Sequence, residues 1–232
     1  MGKKRRKKRK LTARQRQQRM RKIQKAGVFV LASVFAILVG VKFVVPLFAS
    51  DEYKENNGEA INAFQSDIDV ELLTVNPYSR PGTETNKITG IVVHYTANPG
   101  STAMDNRNYF EGLKDSHETK ASSNFVVGLE GEIVQCVPTW EVAYASNSRN
   151  IDTVSIECCH PDETGRFNDA TYQSMVKLCA WLCMKFDLTS EDVIRHYDVT
   201  GKNCPKYFVE NEDAFAAFRD DITQAIENTP SE

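Results

Sequence analysis

An apolar stretch of 23 residues divides the chain and limits what each part can fold into. Residues 26–48 read AGVFVLASVFAILVGVKFVVPLF, and Lys42 is their only charged residue. At about 1.5 Å per residue, a helix of this length spans roughly 34 Å, enough to cross a bilayer core of about 30 Å. We therefore expect a transmembrane helix at residues 26–49. A cleaved signal peptide is the alternative, but its apolar region is usually only about 7–15 residues long.

Charge is distributed very unequally on the two sides of this stretch. Residues 1–25 contain fourteen Lys and Arg and no acidic residue, whereas residues 51–232 contain fourteen Lys and Arg against 31 Asp and Glu, a net charge of −17. Basic flanks stay in the cytoplasm. We therefore expect a single-pass protein of the cell membrane, held by an uncleaved signal-anchor, with a cytoplasmic tail and an external domain. The tail has no interleaved aromatic residues for stacking on bases, which argues against nucleic acid as a partner.

The part beyond the apolar stretch predicts a linker and one folded domain. Residues 50–86 are polar and rich in turn residues, which is typical of a stalk, and the domain is expected at residues 87–228. Strands and helices alternate there, so we expect an α/β domain with a central mixed β-sheet flanked by helices. The expected strands are 87–95, 124–129, 132–137, 153–158 and 193–194, and the expected helices are 102–112, 169–186 and 214–226.

Six cysteines lie in the expected domain, where an external location would permit disulfides. Their spacing is not that of a small disulfide-stapled protein, so most are expected to be buried as small apolar side chains. A bridge between the pair in the strand and the pair in the helix stays open. The six are Cys136, Cys158, Cys159, Cys179, Cys183 and Cys204.

Two histidines and a cysteine are candidate metal ligands. His94 and His196 each follow a short apolar strand, and Cys204 comes eight residues after the second histidine. Strand ends open onto loops, and two imidazoles with one thiolate suit zinc while leaving a fourth position for water. A histidine satisfied within the core is the competing interpretation for each ring.

Glu157 interrupts the apolar strand VSIECC. A buried, unpaired carboxylate is costly, so it requires a cation, a metal-bound water or a raised pKa. The functional interpretation is a general base or acid acting on water. Alternatively, the two-residue alternation of a strand places Glu157, with Ser155, on a solvated face.

Four segments then give a specific resemblance. IVVHYTANPGS, SSNFVVGLEGEIVQCVP, VSIECC and IRHYDVTGKNCP occur in this order and resemble the N-acetylmuramoyl-L-alanine amidase type 2 family. The resemblance implies zinc-dependent hydrolysis of the amide bond between N-acetylmuramic acid and L-alanine in peptidoglycan. It also implies that His94, His196 and Cys204 bind Zn²⁺, that Lys202 steadies the developing oxyanion, and that Glu157 lies beside the metal-bound water.

The chain departs from the family pattern at two places. Ser123-Asn124 stands where many relatives have Tyr-His or Ala-His, and Ala143-Tyr144-Ala145-Ser146 stands where many have Trp-His-Ala-Gly. The family's catalytic tyrosine is therefore missing from its usual place, which puts more weight on Glu157. Asn124 and Tyr144 are the candidates for substrate contact. His117 and His160 lie in polar sequence and are expected to be exposed loop residues, although His160 follows the Glu157 strand closely enough to line a groove.

A non-catalytic peptidoglycan-binding module is the alternative function, because some relatives of this fold hold peptidoglycan without cutting it. Those relatives typically lack the cysteine ligand, and Cys204 is present here. The resemblance therefore favours an enzyme. Its expected partners are peptidoglycan and, through the N-terminal helix, the membrane, and the protein is expected to be a monomer.

Overall fold

A six-stranded sheet lies at the centre of the computed structural model, which describes residues 67–229. The strand order is β1-β4-β3-β5-β2-β6. Only β3 and β4 run antiparallel within this described sheet, so the predicted mixed sheet is confirmed, and the strands expected at 124–129 and 132–137 pair as a hairpin. The strands are β1 Ile68–Val70, β2 Gly90–Tyr95, β3 Phe125–Val127, β4 Ile133–Gln135, β5 Thr153–Cys158 and β6 Val193–Arg195.

Helices cover both faces of the sheet. The described helices are α1 Ala103–Ser116, α2 Asp169–Phe186, α3 His196–Thr200, α4 Lys206–Glu210 and α5 Glu212–Glu227, with 3₁₀ turns at Asn147–Arg149 and Ser190–Asp192. On one face, Ile156 and its neighbours pack against apolar side chains of α2 and α5. On the other, Val126 and Val134 pack with Phe110 of α1.

The long helices begin where side chains cap them. Asn168 accepts a hydrogen bond from the Thr171 N–H at the start of α2, whose bounds match the predicted 169–186. Thr102 and Asp105 form a capping box at the start of α1. The predicted end of α1 at Gly112 is wrong, because the helix buries Leu113 in the next turn and ends only at Ser116.

The linker expected over residues 50–86 is wrong in part, because the segment immediately before β2 is folded. From residue 67 onward it belongs to the domain. Ile68 pairs with Ile133 in parallel register, Leu73 is 1% exposed, and Arg80 forms an ion pair with Glu141 at 2.8 Å. These partners are about 60 residues away in sequence, so local composition could not reveal them.

Strand register places the candidate site at one edge of the sheet. β2 lies between β5 and β6, all three are parallel, and His94 is directly opposite Glu157. Their side chains therefore share one face near the carboxyl ends of these strands. His196 begins α3 immediately after β6, at the same edge.

All six cysteines are free and buried, so the bridge between the strand pair and the helix pair is not formed. No helix within residues 67–229 is both long and apolar enough to cross a membrane. The basic tail at residues 1–25 and the transmembrane helix expected at residues 26–49 lie outside the described residues.

Candidate metal centre

His94, His196 and Cys204 converge at this edge of the sheet. One potential ligand atom from each lies within 4.8 Å of the other two, and all three residues are buried. Thus the structure brings the three predicted ligands together.

A tight reversal of the chain brings Cys204 back to His196. α3 ends at Thr200 and is capped by Gly201, whose φ of 76° lies in the left-handed region that glycine adopts without strain. The Gly201 N–H donates to Tyr197 O at 2.7 Å, and the Tyr197 N–H donates to Cys204 O at 2.9 Å. The interval of eight residues is therefore one helical turn plus a return loop.

The two imidazole rings present the same nitrogen to the site. His94 Nδ1 lies 3.8 Å from Cys204 Sγ, and His196 Nδ1 is buried with no hydrogen-bond partner among the described residues. The ring centroids are 4.6 Å apart. Two Nδ1 atoms and one sulfur therefore form the donor set.

This donor set fits zinc. With Zn–N near 2.0–2.1 Å and Zn–S near 2.3 Å, tetrahedral coordination separates nitrogen from sulfur by about 3.6 Å. The observed 3.8 Å between His94 Nδ1 and Cys204 Sγ is close to that value. The buried Nδ1 of His196 also lacks any other described partner, as expected for a ligand atom.

Burial sets the protonation of the three candidate ligands. It lowers the pKa of His94 well below its usual value, with further lowering by His196 and Lys202, and it also lowers the pKa of His196. Both imidazoles are therefore neutral at neutral pH, the form that binds metals. Burial raises the pKa of Cys204 to about 12, with Glu157 adding to the effect, so metal binding must displace the thiol proton.

Glu157 extends the site on the neighbouring strand. Its Oε1 lies 3.9 Å from His94 Nδ1, its Oε2 is buried without a described hydrogen-bond partner, and its side chain is 19% exposed. The solvated-face interpretation is therefore wrong. Burial raises the pKa of Glu157 to about 8, although the positive charge of Lys202 opposes the shift.

Lys202 lies in the return loop between α3 and Cys204 and is exposed. Its charge lowers the pKa of both histidines and of Glu157, which places its ammonium group within electrostatic reach of the cluster. A solvent-facing cation at this position is available to an anionic group entering the site.

Asn124 was predicted to contact substrate, but the structure buries its side chain. It is 1% exposed, and its amide oxygen accepts hydrogen bonds from the backbone N–H and hydroxyl of Ser155. Its amide nitrogen donates to carbonyl oxygens of Val137, Pro138 and Glu141. The amide is fully used in tying a loop to β5, which corrects the expectation that it contacts substrate.

Tyr144, the other predicted substrate contact, is half-buried. Its backbone is hydrogen bonded to Ser122, and Lys120 lies over its ring at 5.4 Å from the centroid. Its role in substrate contact stays a prediction.

The two remaining histidines differ in exposure. His117 is exposed and stacks on Tyr78 with ring centroids 4.3 Å apart. His160 is only 1% exposed, so its expected exposure is wrong. The loop after β5 turns back there, with His160 Nδ1 2.7 Å from Asp162 O and the ring packed near Tyr95.

Two further polar residues contact the histidine pair and were not singled out from the sequence. Ser146 Oγ lies 3.1 Å from His94 Nε2, and Asn147 Oδ1 lies 2.9 Å from His196 Nε2. A serine and an asparagine in a polar loop carry no local signal of such a role. Their only marker was that Ser146 falls in a segment that departs from the family pattern.

Comparison with known proteins decides the family. Residues 84–207 match the family model described as N-acetylmuramoyl-L-alanine amidase, which is more than half of the chain. The chain belongs to this amidase family. The matched region includes all three candidate ligands and Glu157.

Curated members of the amidase family are similar to the chain over about two thirds of its length. N-acetylmuramoyl-L-alanine amidase CwlL of Bacillus licheniformis is 33% identical over 169 residues, covering 68% of this chain and 47% of the relative. N-acetylmuramoyl-L-alanine amidase BlyA of Bacillus subtilis (strain 168) is 31% identical over 171 residues, covering 65% and 45%. The chain thus spans about half the length of these relatives.

Two solved structures share the fold of this domain. The catalytic domain of XlyA is 25% identical with a TM-score of 0.57, and the match covers 65% of this chain and 97% of that domain. PlyL is 22% identical with a TM-score of 0.58, and the match covers 67% of this chain and 96% of that one. At 22% identity, the similarity to PlyL shows only that the two proteins share a fold.

Proposed function

We propose that this domain hydrolyses the amide bond between N-acetylmuramic acid and L-alanine in peptidoglycan, with Zn²⁺ held by His94, His196 and Cys204. One observation carries the proposal: in a member of the amidase family, three buried zinc-type donors converge beside a carboxylate whose buried Oε2 has no described hydrogen-bond partner. A zinc ion bound there would supply a Lewis acid that polarises the scissile carbonyl and acidifies water.

Glu157 is the proposed proton carrier. Without a metal its pKa is about 8, and the positive charge of Lys202 already acts to lower it. A cation among the three donors would act in the same direction, so that the carboxylate is ionised at neutral pH. Glu157 then accepts a proton from the attacking water and delivers it to the nitrogen of the leaving L-alanine.

Lys202 is the proposed partner for the negative charge that develops on the carbonyl oxygen. Its ammonium group is exposed, yet its charge affects the pKa of the histidines and of Glu157. Removing one such stabilising group from an active site typically costs about 2.7–4 kcal/mol of transition-state stabilisation.

The proposal is tested by the metal content and activity of the full chain purified in detergent. We expect one zinc per chain by mass spectrometry and release of L-alanine-terminated peptides from muropeptides, abolished by a chelator. Cys204→Ala should lose both zinc and activity. Cys183→Ala is the matched control, because this buried cysteine lies on α2 behind the sheet and should keep both. Zinc without cleavage would support the non-catalytic binding module instead, and a folded protein without zinc would contradict the zinc-dependent mechanism.

Glu157→Ala separates metal binding from chemistry. Since Glu157 is not among the three donors, the variant should keep its zinc while losing activity by about 10²–10⁴-fold, the usual contribution of general acid–base catalysis. Glu130→Ala, in the exposed hairpin turn, is the control and should leave both unchanged. Full activity in Glu157→Ala would remove this residue from the mechanism.

A further inference from the structure

We infer that Ser146 and Asn147 are positioning residues that hold the two histidines with Nδ1 directed to the metal site. The inference rests on the zinc site of the proposed function. It adds two residues of one loop that contact the histidine ligands from behind, through the ring nitrogens that face away from Cys204.

The two contacts are equivalent in kind. His94 Nε2 lies 3.1 Å from Ser146 Oγ, and His196 Nε2 lies 2.9 Å from Asn147 Oδ1. Each histidine therefore has its distal nitrogen engaged by the loop, while its Nδ1 is left for the site. Consecutive residues of one turn thereby orient rings from two different elements, β2 and α3.

The Asn147 contact selects the tautomer of His196, and the Ser146 contact is compatible with the same tautomer of His94. An amide oxygen can only accept, so His196 Nε2 must carry the hydrogen, and its Nδ1 retains the lone pair. The Ser146 hydroxyl can accept from His94 Nε2–H in the same way. A neutral imidazole must present a lone pair to a metal, and a hydrogen bond at its other nitrogen fixes both the tautomer and the ring orientation.

The loop that carries the two residues is itself held in place. Asn150 Oδ1 accepts hydrogen bonds from the backbone N–H groups of Ala145 and Ser146. Arg149 ties the end of the turn to Asp152 at 2.9 Å. Asn147 has φ of 52°, in the left-handed region that asparagine tolerates better than most residues. The geometry behind the histidines is therefore set by several contacts before a metal binds.

Zinc affinity tests the inference directly. Measured on the full chain by competition with a chromophoric chelator, Asn147→Gly and Ser146→Ala should each bind zinc about 10–100-fold more weakly, the usual effect of losing such a partner. Glycine is chosen at position 147 because it accepts the positive φ without strain. Asn147→Asp should retain affinity within a few-fold, because a carboxylate oxygen accepts the same hydrogen bond.

Ser148→Gly is the matched control, since Ser148 is exposed in the same 3₁₀ turn and should leave zinc affinity unchanged. Wild-type affinity in both Asn147→Gly and Ser146→Ala would overturn the inference. Equal weakening in Asn147→Asp and Asn147→Gly would also overturn it, because the hydrogen bond would then not be the cause. A wild-type chain that binds no zinc would instead contradict the proposed function.

Discussion

Glu157 shows how the position of one side chain sets its chemistry. It lies opposite His94 on the neighbouring strand, and burial raises its pKa to about 8 from the ordinary 4.5. In the metal-free protein the carboxyl group is therefore mostly protonated at neutral pH. This state avoids placing an uncompensated charge in a buried position.

Without metal, Glu157 should make stability fall as pH rises. Between about pH 4.5 and 8 the folded state keeps a proton that the unfolded state has lost, so wild type loses about 1.4 kcal/mol of unfolding free energy per pH unit through this group. Glutamine at position 157 cannot ionise. The unfolding free energy of Glu157→Gln, relative to that of wild type, should therefore increase from pH 5 to 8 and then level off. Urea denaturation in a chelator at several pH values measures this, and a pH-independent difference would contradict the assigned pKa.

At the scale of elements, the loop after β4 is held to the sheet by one buried side chain. Asn124 precedes β3 and connects Ser155 of β5 with three carbonyl groups of residues 137–141. The same stretch of chain continues to Ser146 and Asn147. A residue expected to contact substrate is therefore a structural support for the loop that reaches the histidines.

Asn124→Ala should lower the unfolding free energy by about 3 kcal/mol. It leaves the buried Ser155 N–H without a partner and removes the hydrogen bonds to the carbonyl groups of Val137 and Glu141, and each unsatisfied buried group costs about 1–3 kcal/mol. Asn98→Ala, at an exposed loop position, is the control and should change stability by less than about 0.5 kcal/mol. Denaturant unfolding of the metal-free proteins measures both, and equal stabilities would contradict the support role.

For the whole molecule, the boundary of the domain is decided by β1. This strand adds to the edge of the sheet beside β4, and Leu73 behind it is buried with Val134 and Phe110. Arg107 of α1 also donates to the carbonyl groups of residues 71 and 72. The membrane anchor and the monomeric state stay predictions.

Two truncations test this boundary. A fragment of residues 67–232 should fold cooperatively, whereas residues 75–232 should be less stable by about 3–6 kcal/mol. The shorter fragment lacks Ile68 and Leu73, and burying each such side chain contributes about 1.5–3 kcal/mol. Thermal and urea unfolding compare them directly. If the two fragments are equally stable, residues 67–74 belong to the linker and not to the domain.

The sequence by itself determined the parts that depend on local pattern. Apolar runs and the period of α2 predicted five of the six described strands, the three long helices and the mixed sheet. The positions of His94 and His196 after short apolar strands made them, with Cys204, candidate metal ligands, and the parallel register of β2, β5 and β6 explains why the two histidines and Glu157 meet at one edge of the sheet. The resemblance to the amidase family supported all three as zinc ligands and implied that Glu157 lies beside the metal-bound water.

Only the tertiary structure decided the features that depend on distant partners. β1 is too short to be recognised without β4, Gly112 stays helical because Leu113 is buried beyond it, and His160 is covered by its own returning loop. Ser146 and Asn147 meet the histidines across about 50 residues of sequence. Such contacts arise from the packing of separate elements, whereas periodicity and capping record only interactions between near neighbours in the chain.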